Sequence, residues 1–373
     1  MTAGPVGVGL VGAGDVSAQY LGSLLGYPDV AVIGVADLDV ERARAVAAAH
    51  GIGFGGSVAD LLDRDQVELV VNITVPAAHA EVALAAIAAG RHVWSEKPLA
   101  LDRCSARSVL DAAAAAGVAV GNAPDTILGT AIQNSQRLLA GGLIGTPSTV
   151  LTLMQVPGPE RWHPRPQFLF ARGAGPLFDI GPYYVTTLVQ LLGPVASVSA
   201  TGHRARASRV IGSGPAAGTR FPVEVDTHVS VLTRFASGVV GTSVYSFDSP
   251  VRRQAFEVTG EHGTMEVPVS GFDGPTRVLR DDPAVPDGDW ETVLAPAGKR
   301  SRGVGVLEMA RAIRAGRAPR ASGELAYHVL DVLLAIEESA AGGGAPVTVR
   351  SSAGVVPLLE PDWSASANTL GVQ

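Results

Sequence analysis

The stretch VGVGLVGAGDVS at residues 6–17 decides the fold of this chain. Residues 6–11 are an apolar run that predicts a buried strand, and apolar residues then recur at helical spacing as far as Leu24. The glycine turn at residues 12–14 therefore lies between a strand and a helix, which is the context that a dinucleotide-binding fingerprint requires.

Each position of this turn has a physical role in binding a dinucleotide. Gly12 allows the tight turn, and Gly14 lets the backbone approach a pyrophosphate, whose charge would lie at the N-terminus of the following helix. Ser17 replaces the third glycine of the fingerprint and is small enough to pack there. We therefore expect Gly12, Gly14, Asp15 and Val16 to contact the cofactor.

Asp37 ends a second apolar run, residues 30–36. An acidic residue at the tip of this strand hydrogen-bonds a ribose 2′-hydroxyl and repels a 2′-phosphate, so Asp37 predicts NAD rather than NADP. The alternative is that Asp37 caps the helix that follows. Asp39 is at least as well placed for capping, which leaves Asp37 available for the cofactor.

Further apolar runs alternate with helical segments and predict a parallel, doubly wound sheet in a domain that covers residues 1–122. Strands are expected at 69–73, 92–94 and 118–121, and helices at 76–89 and 102–116. Ligands bind beyond the carboxyl ends of the strands in such sheets. The residues expected at this edge are Thr74, Pro76, Glu96, Lys97 and Asn122.

Lys97 is the candidate for chemistry at this edge. The chain contains two lysines, Lys97 and Lys299, and its other basic residues are all arginine. A chain with this bias would use arginine wherever any cation suffices. An ammonium, unlike a guanidinium, has a pKa that can fall toward neutrality, and it can hold or pass a proton. We interpret Lys97 as a chemical residue, with a solvated loop lysine as the alternative.

After Asn122 the pattern predicts a second, α+β domain over residues 123–373. Hairpin signals at residues 236–238 and at Gly263 indicate antiparallel pairing. Residues 270–302 are rich in Asp, Pro and Gly, and we expect them to form a long surface excursion or lid. The other expected elements are helices at 131–139, 307–315 and 324–340 and strands at 149–156, 196–201, 229–235, 239–247, 256–259 and 264–267.

The bulk composition argues against several kinds of partner. The net charge of -7 is unfavourable for nucleic acid, because phosphate binding needs a basic field. No apolar stretch reaches the ~20 residues needed to span a membrane, and no spacing of His, Asp or Glu indicates a metal. The single cysteine, Cys104, excludes an intramolecular disulfide and is expected to be buried and inert. Without a signal peptide, we expect a cytoplasmic protein.

Four motifs resemble those of the Gfo/Idh/MocA oxidoreductases, the family of glucose–fructose oxidoreductase, inositol dehydrogenase and rhizopine catabolism. The resemblance covers nearly the whole chain, and the last two motifs are specific in combination. The motifs are GAGDVS at 12–17, NITVP at 72–76 with His79, GRHV at 90–93 leading to Glu96-Lys97-Pro98, and GAGPLFDIGPY at 173–183.

The resemblance implies a Rossmann domain followed by a domain with an open, mostly antiparallel sheet, whose outer face would form a homodimer or homotetramer interface. It implies hydride transfer between NAD, or less favourably NADP, and a secondary alcohol or carbonyl of a sugar, cyclitol or related molecule. His79 would belong to the cofactor site. Lys97 would contact the nicotinamide ribose and the substrate, Asp179 would orient the substrate, and Tyr183 would occupy the usual acid/base position.

Tyr183 stands where histidine is commoner in the family. A phenol has a reference pKa near ~10 and is a poor base at neutral pH. A nearby cation such as Lys97 would lower that pKa, so we predict that Lys97 and Tyr183 act together in proton transfer. The alternative is that Tyr183 is a buried aromatic, since Tyr184 beside it shows that the segment tolerates aromatics.

Three more residues are candidates for binding substrate. Trp162 and His163 lie in RWHPRP at 161–166, where an aromatic face can stack on a sugar ring and His163 is an alternative acid/base. The other interpretation of this segment is a surface loop fixed by its prolines. Asp125 is expected at the same edge as Asn122, where it could bind a substrate hydroxyl.

Three functions stay open at this point. The leading prediction is an NAD-dependent oxidoreductase acting on a sugar-like alcohol. The second is a glycoside-cleaving enzyme that oxidises the sugar transiently with bound NAD and then reduces it again. The third is a non-catalytic sensor of NAD or sugar, against which the joint presence of Lys97, Asp179 and Tyr183 argues.

Overall fold

The computed structural model describes residues 4–269, 271–281, 288–295, 298 and 300–371. In chain order, the elements up to residue 122 are β1 (Val6–Val11), α1 (Asp15–Leu24), β2 (Val30–Ala36), α2 (Val40–Ala49), β3 (Gly55–Gly56), α3 (Val58–Leu62), β4 (Leu69–Asn72), α4 (His79–Ala88), β5 (His92–Ser95), α5 (Arg103–Ala116) and β6 (Val120–Asn122). Those that follow are α6 (Thr130–Ala140), β7 (Pro147–Pro157), α7 (Gly175–Leu192), β8 (Val195–His203), β9 (Ser208–Val210), β10 (Arg220–Pro222), β11 (His228–Phe235), β12 (Val240–Ser246), β13 (Asp248–Gly260), β14 (Gly263–Glu266), β15 (Thr276–Arg280), β16 (Glu291–Val293), α8 (Val304–Arg314), α9 (Gly323–Ala341) and β17 (Val347–Thr348).

The chain forms two compact units. The first comprises residues 1–133, 297–330 and 356–373, and the second comprises 134–296 and 331–355. The sequence-based division at residue 122 assigned everything after it to one domain. In the structure, two segments from the C-terminal part belong to the first unit.

The first unit contains a parallel sheet in the order β3-β2-β1-β4-β5-β6. Every residue of β1 and β4 is buried. Their sequences are almost entirely apolar because neither face of a covered parallel sheet is exposed to water. The strand order reverses between β1 and β4. The crevice at the carboxyl ends of these two strands is therefore the place where a Rossmann sheet binds its ligand.

A buried ion pair attaches the C-terminal segment to this unit. Asp29 is completely buried and accepts from Arg311 Nε at 2.7 Å and from the backbone amides of Thr369 and Leu370 at 2.9 and 2.8 Å. A buried carboxylate is stable only when it is paired and hydrogen-bonded in this way. Because these partners lie more than 280 residues apart in the chain, no local pattern could reveal that the segment returns.

The second unit contains a sheet in the order β16-β15-β14-β13-β7-β12-β11-β8-β17. Among the strands that the structure describes, β7 and β12 pair in parallel and every other neighbouring pair is antiparallel. The predicted hairpins are confirmed: β11 pairs with β12 across residues 236–238, and β13 pairs with β14 around residues 261–262. The predicted fold class, a Rossmann sheet plus an α+β domain with a mostly antiparallel sheet, is therefore confirmed.

Two sequence-based expectations are wrong. The described parts of residues 270–302 are not an irregular excursion, because β15 and β16 extend the sheet and Val278 is fully buried opposite Met265. Residues 270, 282–287, 296–297 and 299 of that segment lie outside the described part of the chain. Cys104 is exposed near the start of α5 and not buried.

No helix in the described part of the chain is long and apolar enough to cross a membrane. Within the same residues, no group of three or more His, Cys, Asp and Glu side chains is arranged to hold a metal ion.

Candidate active site

The turn after β1 fits a dinucleotide pyrophosphate. Gly12 has a φ of +113°, and a Cβ at this position would lie 2.7 Å from the carbonyl oxygen of Ile73, so glycine is required. A Cβ at Gly14 would meet nothing within 4 Å, so the space beside the start of α1 is open. Helix α1 begins at Asp15 without a side-chain cap, and Ser17 is buried with its hydroxyl donating to the Gly14 carbonyl at 2.7 Å. An anion can therefore approach the backbone here.

Asp37 lies beside this turn at the end of β2. Its Oδ2 accepts from the Ala13 amide at 2.7 Å, and its Oδ1 accepts from the Asp39 amide at 2.9 Å and from Arg42 Nη2 at 2.6 Å. Burial raises the pKa of Asp37, but the Arg42 guanidinium and the two amides outweigh that effect and hold the pKa below its ordinary value. Asp39, whose carboxylate accepts from the Arg42 amide, caps α2, so the capping role does not fall to Asp37.

The loop after β4 is fixed by two buried side chains. Asn72 donates through Nδ2 to the His79 carbonyl at 2.9 Å and accepts from the Thr74 hydroxyl at 2.7 Å. The His79 ring lies between two carbonyl oxygens, with Nδ1 2.6 Å from that of Pro98 and Nε2 3.0 Å from that of Thr74. Burial lowers the pKa of His79 although the two carbonyls oppose the shift. The ring therefore joins two loops of the protein, and its place in the cofactor site stays a prediction.

Thr74 and Pro76 stay at the edge of the sheet. Both are half-buried, and Pro76 begins a short 3-10 turn that ends at Ala78, directly before α4. The Thr74 hydroxyl and amide donate to Asn72 and its carbonyl faces His79, so Thr74 offers a ligand its methyl group. The sequence therefore located this loop correctly at the end of a strand.

Asn122 fixes the backbone before Lys97. Its Nδ2 donates to the carbonyls of Ser95 and Glu96 at 2.9 and 3.1 Å, and its own amide donates to the Ala321 carbonyl at 2.9 Å. Asn122 is buried. Its side chain therefore holds the end of β5 against the end of β6.

Glu96 fixes Lys97 itself. Its Oε2 accepts from the backbone amide of Lys97 at 3.1 Å, while its Oε1 accepts from the Tyr20 hydroxyl at 2.9 Å and from Arg302 Nη1 at 2.8 Å. Glu96 is buried and Lys97 is half-buried. Sequence reasoning expected Glu96 to contact the cofactor and missed Tyr20 and Arg302. A tyrosine inside an ordinary helix and an arginine 206 residues away gave no signal.

Asp125 faces the protein and not the edge of the sheet. It is buried, and its Oδ2 accepts from the backbone amides of Gly303 and Gly305 at 2.8 and 3.1 Å, where α8 begins. Burial raises the pKa of Asp125 to about 6, although the two amides and the nearby Arg302 oppose the shift. The expectation that Asp125 binds a substrate hydroxyl has no support in this geometry, because the carboxylate caps a helix of its own unit.

In the second unit, Asp179 and Tyr183 lie one turn apart on α7. Both are half-buried, and residues four apart share a helix face. The neighbouring Tyr184 is the core aromatic: its ring is 5.8 Å from that of Tyr245 and 6.1 Å from that of Phe256, and burial raises its pKa. The fully buried aromatic of this pair is Tyr184, and Tyr183 beside it is half-buried.

The motif at residues 173–183 forms the start of a helix that the sequence did not predict. Glycine and proline are unfavourable in the interior of a helix. Pro176 lies in the first turn, however, where a backbone amide has no helical partner to lose, and Gly175 has a φ of +76°. Pro182 lies inside the helix. The motif therefore presents its side chains on a regular scaffold.

The segment with Trp162 and His163 carries an exposed aromatic cluster. Trp162 is 62% exposed, and the His163 ring lies edge-on to Trp162 at 5.5 Å and to Phe168 at 5.4 Å. The Nδ1 of His163 accepts from the Arg165 amide at 3.0 Å. The proton of a neutral imidazole then lies on Nε2, the nitrogen that a ligand would meet.

Below this cluster lies a buried ion pair network. Arg209 donates to Glu160 at 2.7 Å and also to Asp248, and both Arg209 and Glu160 are buried. The Glu160 carbonyl accepts from the Gly212 amide at 2.7 Å. The loop that carries Trp162 and His163 is therefore held by an ion pair and a backbone hydrogen bond as well as by its prolines.

Comparison with known proteins matches both parts of the chain to one family. Residues 6–123 match the description "Oxidoreductase family, NAD-binding Rossmann fold", and residues 132–266 match "GFO/IDH/MocA C-terminal domain". Together these matches span well over half of the chain.

Individual proteins give the same result. The chain is 27% identical over 351 residues to a 1,5-anhydro-D-fructose reductase from Ensifer adhaerens, covering 90% of this chain and 97% of that protein. The crystal structure of an NAD binding oxidoreductase from Klebsiella pneumoniae has a TM-score of 0.79 at 25% identity, over 92% of this chain and 99% of that one. An apo levoglucosan dehydrogenase has the same fold, with a TM-score of 0.82 at 23% identity, over 93% of this chain and 99% of that one.

The pair of Asp37 and Arg42 predicts how cofactor preference can be changed. Arg42 is 50% exposed on its side chain and is neutralised by Asp37. In Asp37→Ser, the repulsion of a 2′-phosphate disappears and Arg42 becomes available to bind it. We expect kcat/KM for NADP relative to NAD to rise by about 10- to 100-fold, measured by steady-state kinetics. The double variant Asp37→Ser/Arg42→Ala should lose most of this gain, and a gain that persists would show that Arg42 is not responsible.

The raised pKa of Asp125 predicts a pH-dependent stability. The folded-state pKa of about 6 lies above the ordinary aspartate value of 3.8, so the stability gained from proton binding is present below about pH 4 and is lost as pH rises to about 6. In Asp125→Asn, this loss of about 3 kcal/mol disappears. Urea unfolding should therefore show that the variant gains relative to the parent protein between pH 4 and pH 7. The exposed Asp65→Asn is the control, and parallel curves for Asp125→Asn and its parent would contradict the assignment.

Proposed function

The chain belongs to the GFO/IDH/MocA family of NAD-binding oxidoreductases, and on that premise we propose that it transfers hydride between NAD and a secondary alcohol or carbonyl of a sugar or cyclitol. The observation that carries the proposal is the fixed position of Lys97. One of two lysines in the chain lies two residues after β5, half-buried, on a backbone held by Glu96 and Asn122. A solvated loop lysine would need no such support.

The residues at the first unit's sheet edge fit NAD. The glycine turn would hold the pyrophosphate at the start of α1, and Asp37 would hold the adenosine ribose. When bound, NAD supplies the acceptor for hydride at its nicotinamide ring. The protein then has to hold the alcohol and remove its proton.

We assign these two tasks to Lys97, Asp179 and Tyr183. When an alcohol is oxidised, the carbon loses its hydrogen as hydride and the oxygen loses its proton. Lys97 and Tyr183 would remove that proton together, since an ammonium favours a nearby phenolate and an amine, unlike a guanidinium, can hold or pass a proton. Asp179, one turn earlier on α7, would accept a hydrogen bond from another hydroxyl of the same substrate. The support for Tyr183 is its half-exposed position beside the buried Tyr184.

Trp162 and His163 would contribute to recognition of the substrate. An exposed indole that is held edge-on against a histidine offers the flat apolar face on which the C–H groups of a sugar ring can stack. The names of the relatives, which include a 1,5-anhydro-D-fructose reductase and a levoglucosan dehydrogenase, support a sugar-like substrate. His163 stays the alternative acid/base.

Formation of NADH from NAD on a panel of sugars, anhydrosugars, inositols and glycosides tests the proposal, with NADP measured in parallel. The expected result is NADH formation on one class of polyol and a clear preference for NAD. Release of an aglycone without accumulation of NADH would assign the chain instead to transient-oxidation glycoside cleavage. Binding of NAD with no turnover of any compound would indicate a sensor.

The role of Lys97 predicts a large and specific loss in Lys97→Arg. The guanidinium keeps the charge but cannot give up a proton near neutral pH, so kcat should fall by about 100-fold or more. The Kd for NADH, measured by fluorescence titration, should change only a few-fold. The matched control is Lys299→Arg, which removes the other lysine and should keep full activity. Full activity in Lys97→Arg would exclude a proton-transfer role.

We also propose that the outer face of the second unit's sheet binds a second copy of the chain. Leu232 of β11 and Leu151 of β7 both align with Thr242 of the β12 strand between them, and these leucines are 62% and 42% exposed. A row of exposed leucines on a sheet face is typical of an interface between subunits.

The sheet-face proposal predicts that Leu232→Glu lowers the oligomeric state. A charge at the centre of an apolar interface would have to be desolvated without a partner, which favours dissociation. Sedimentation velocity should show smaller particles for Leu232→Glu than for the parent protein. Leu294→Glu, at another exposed leucine of the same unit, is the control. An unchanged sedimentation coefficient for Leu232→Glu would exclude this face.

A further inference from the structure

We infer that Arg302 is a positioning residue that acts through Glu96 on Lys97 and sets the pH range in which proton transfer occurs. This inference rests on the proposed function. Arg302 lies in the segment that returns to the first unit late in the chain, and it is not part of any motif by which the family resemblance was identified.

The two oxygens of the Glu96 carboxylate accept hydrogen bonds from different parts of the protein. Oε2 accepts from the backbone amide of Lys97, and Oε1 accepts from the Tyr20 hydroxyl and from Arg302. Tyr20 is itself held by the Trp94 indole, which donates to its hydroxyl at 3.1 Å. The orientation of the carboxylate, and with it the start of the loop at Lys97, is therefore set from the Oε1 side.

Arg302 itself is held in place. Its side chain is 25% exposed, and its backbone carbonyl accepts from the Ser23 hydroxyl. The next residue, Gly303, donates its amide to the buried Asp125. The guanidinium is therefore presented by a backbone with fixed neighbours on both sides, which a surface ion pair would lack.

The positive charge of Arg302 has a second effect, because it compensates the negative charge of Glu96 beside Lys97. Among the described residues, the Tyr20 hydroxyl contacts the Glu96 carboxylate, and Asp125 and His79 interact with it electrostatically. Lys97 contacts it through its backbone amide. Burial raises the pKa of Tyr20, as do Glu96 and Asp125, so Tyr20 stays a neutral donor. Arg302 donates to Glu96 at 2.8 Å and so compensates its charge directly. Its removal leaves a buried negative charge next to Lys97.

The sign of the effect follows from that charge. An uncompensated Glu96 favours the ammonium form of Lys97. Alcohol oxidation, which needs the proton-accepting form of the site, then requires a higher pH. Removing the charge of Glu96 has the opposite effect. Substitution of Arg302 should therefore move the pH–rate profile to higher pH, and substitution of Glu96, its partner in the ion pair, should move it to lower pH.

The test compares the pH dependence of kcat for alcohol oxidation in Arg302→Met and Glu96→Gln, with the substrate that the panel identifies. The acidic limb should move up by about 1 pH unit in Arg302→Met and down in Glu96→Gln. At pH 7, kcat of Arg302→Met should fall by about tenfold, with the Kd for NADH unchanged. Arg302→Lys, which keeps the charge, should restore most of the profile.

Arg300→Met is the matched control. Arg300 lies two residues earlier in the same segment, donates to the Leu128 carbonyl at 2.5 Å and stacks on the Trp363 ring at 5.0 Å. A merely structural role of the segment would lower the thermal stability of both arginine variants alike and leave both pH profiles in place. The inference requires that the profile moves in Arg302→Met and not in Arg300→Met.

Failure of the proposed function and failure of the inference about Arg302 give different results. If the parent protein turns over no substrate, the proposed function fails. If the parent is active and a folded Arg302→Met has the parent's profile, the inference about Arg302 is overturned. Should Arg302→Met not fold, Glu96→Gln decides the matter, because an unchanged or upward-moving profile in that variant overturns the inference as well.

Discussion

The geometry of the site depends on hydrogen bonds that hold the backbone on both sides of Lys97. Asn72, His79, Glu96 and Asn122 are all buried, and each binds backbone groups of the loops that leave β4 and β5. Buried polar side chains are tolerated only when they are bonded, so each of them fixes what it contacts. These bonds leave the glycine turn open and fix the backbone that carries Lys97.

Support for this arrangement comes from distant parts of the chain. The ends of the parallel strands form one edge by topology alone, but Glu96 is completed by Arg302 and the start of α8 is capped by Asp125. The C-terminal segment is held by the buried pair of Asp29 and Arg311. The first unit is therefore a Rossmann domain whose site is finished by residues that the chain supplies some 200 residues later.

Sequence reasoning succeeded where local rules decide. The glycine turn, the capping of α2 by Asp39 and the hairpin at residues 236–238 follow from backbone sterics and hydrogen bonding over a few residues. Which way a polar side chain at a strand end points is decided by tertiary partners. The sequence therefore located Glu96 and Asp125 correctly at strand ends but could not show that their carboxylates face inward, nor that Arg302 would meet one of them.

The central claim is that Lys97 is the amine at the reaction centre, and a chain with two lysines allows a direct test. Protein labelled with ¹³C at the lysine ε-carbons should give two signals, which Lys299→Arg assigns. On titration with NADH, the account predicts that the Lys97 signal moves and saturates with cofactor binding while the Lys299 signal stays in place. A Lys97 signal that does not change while NADH binding is seen by fluorescence would contradict the account.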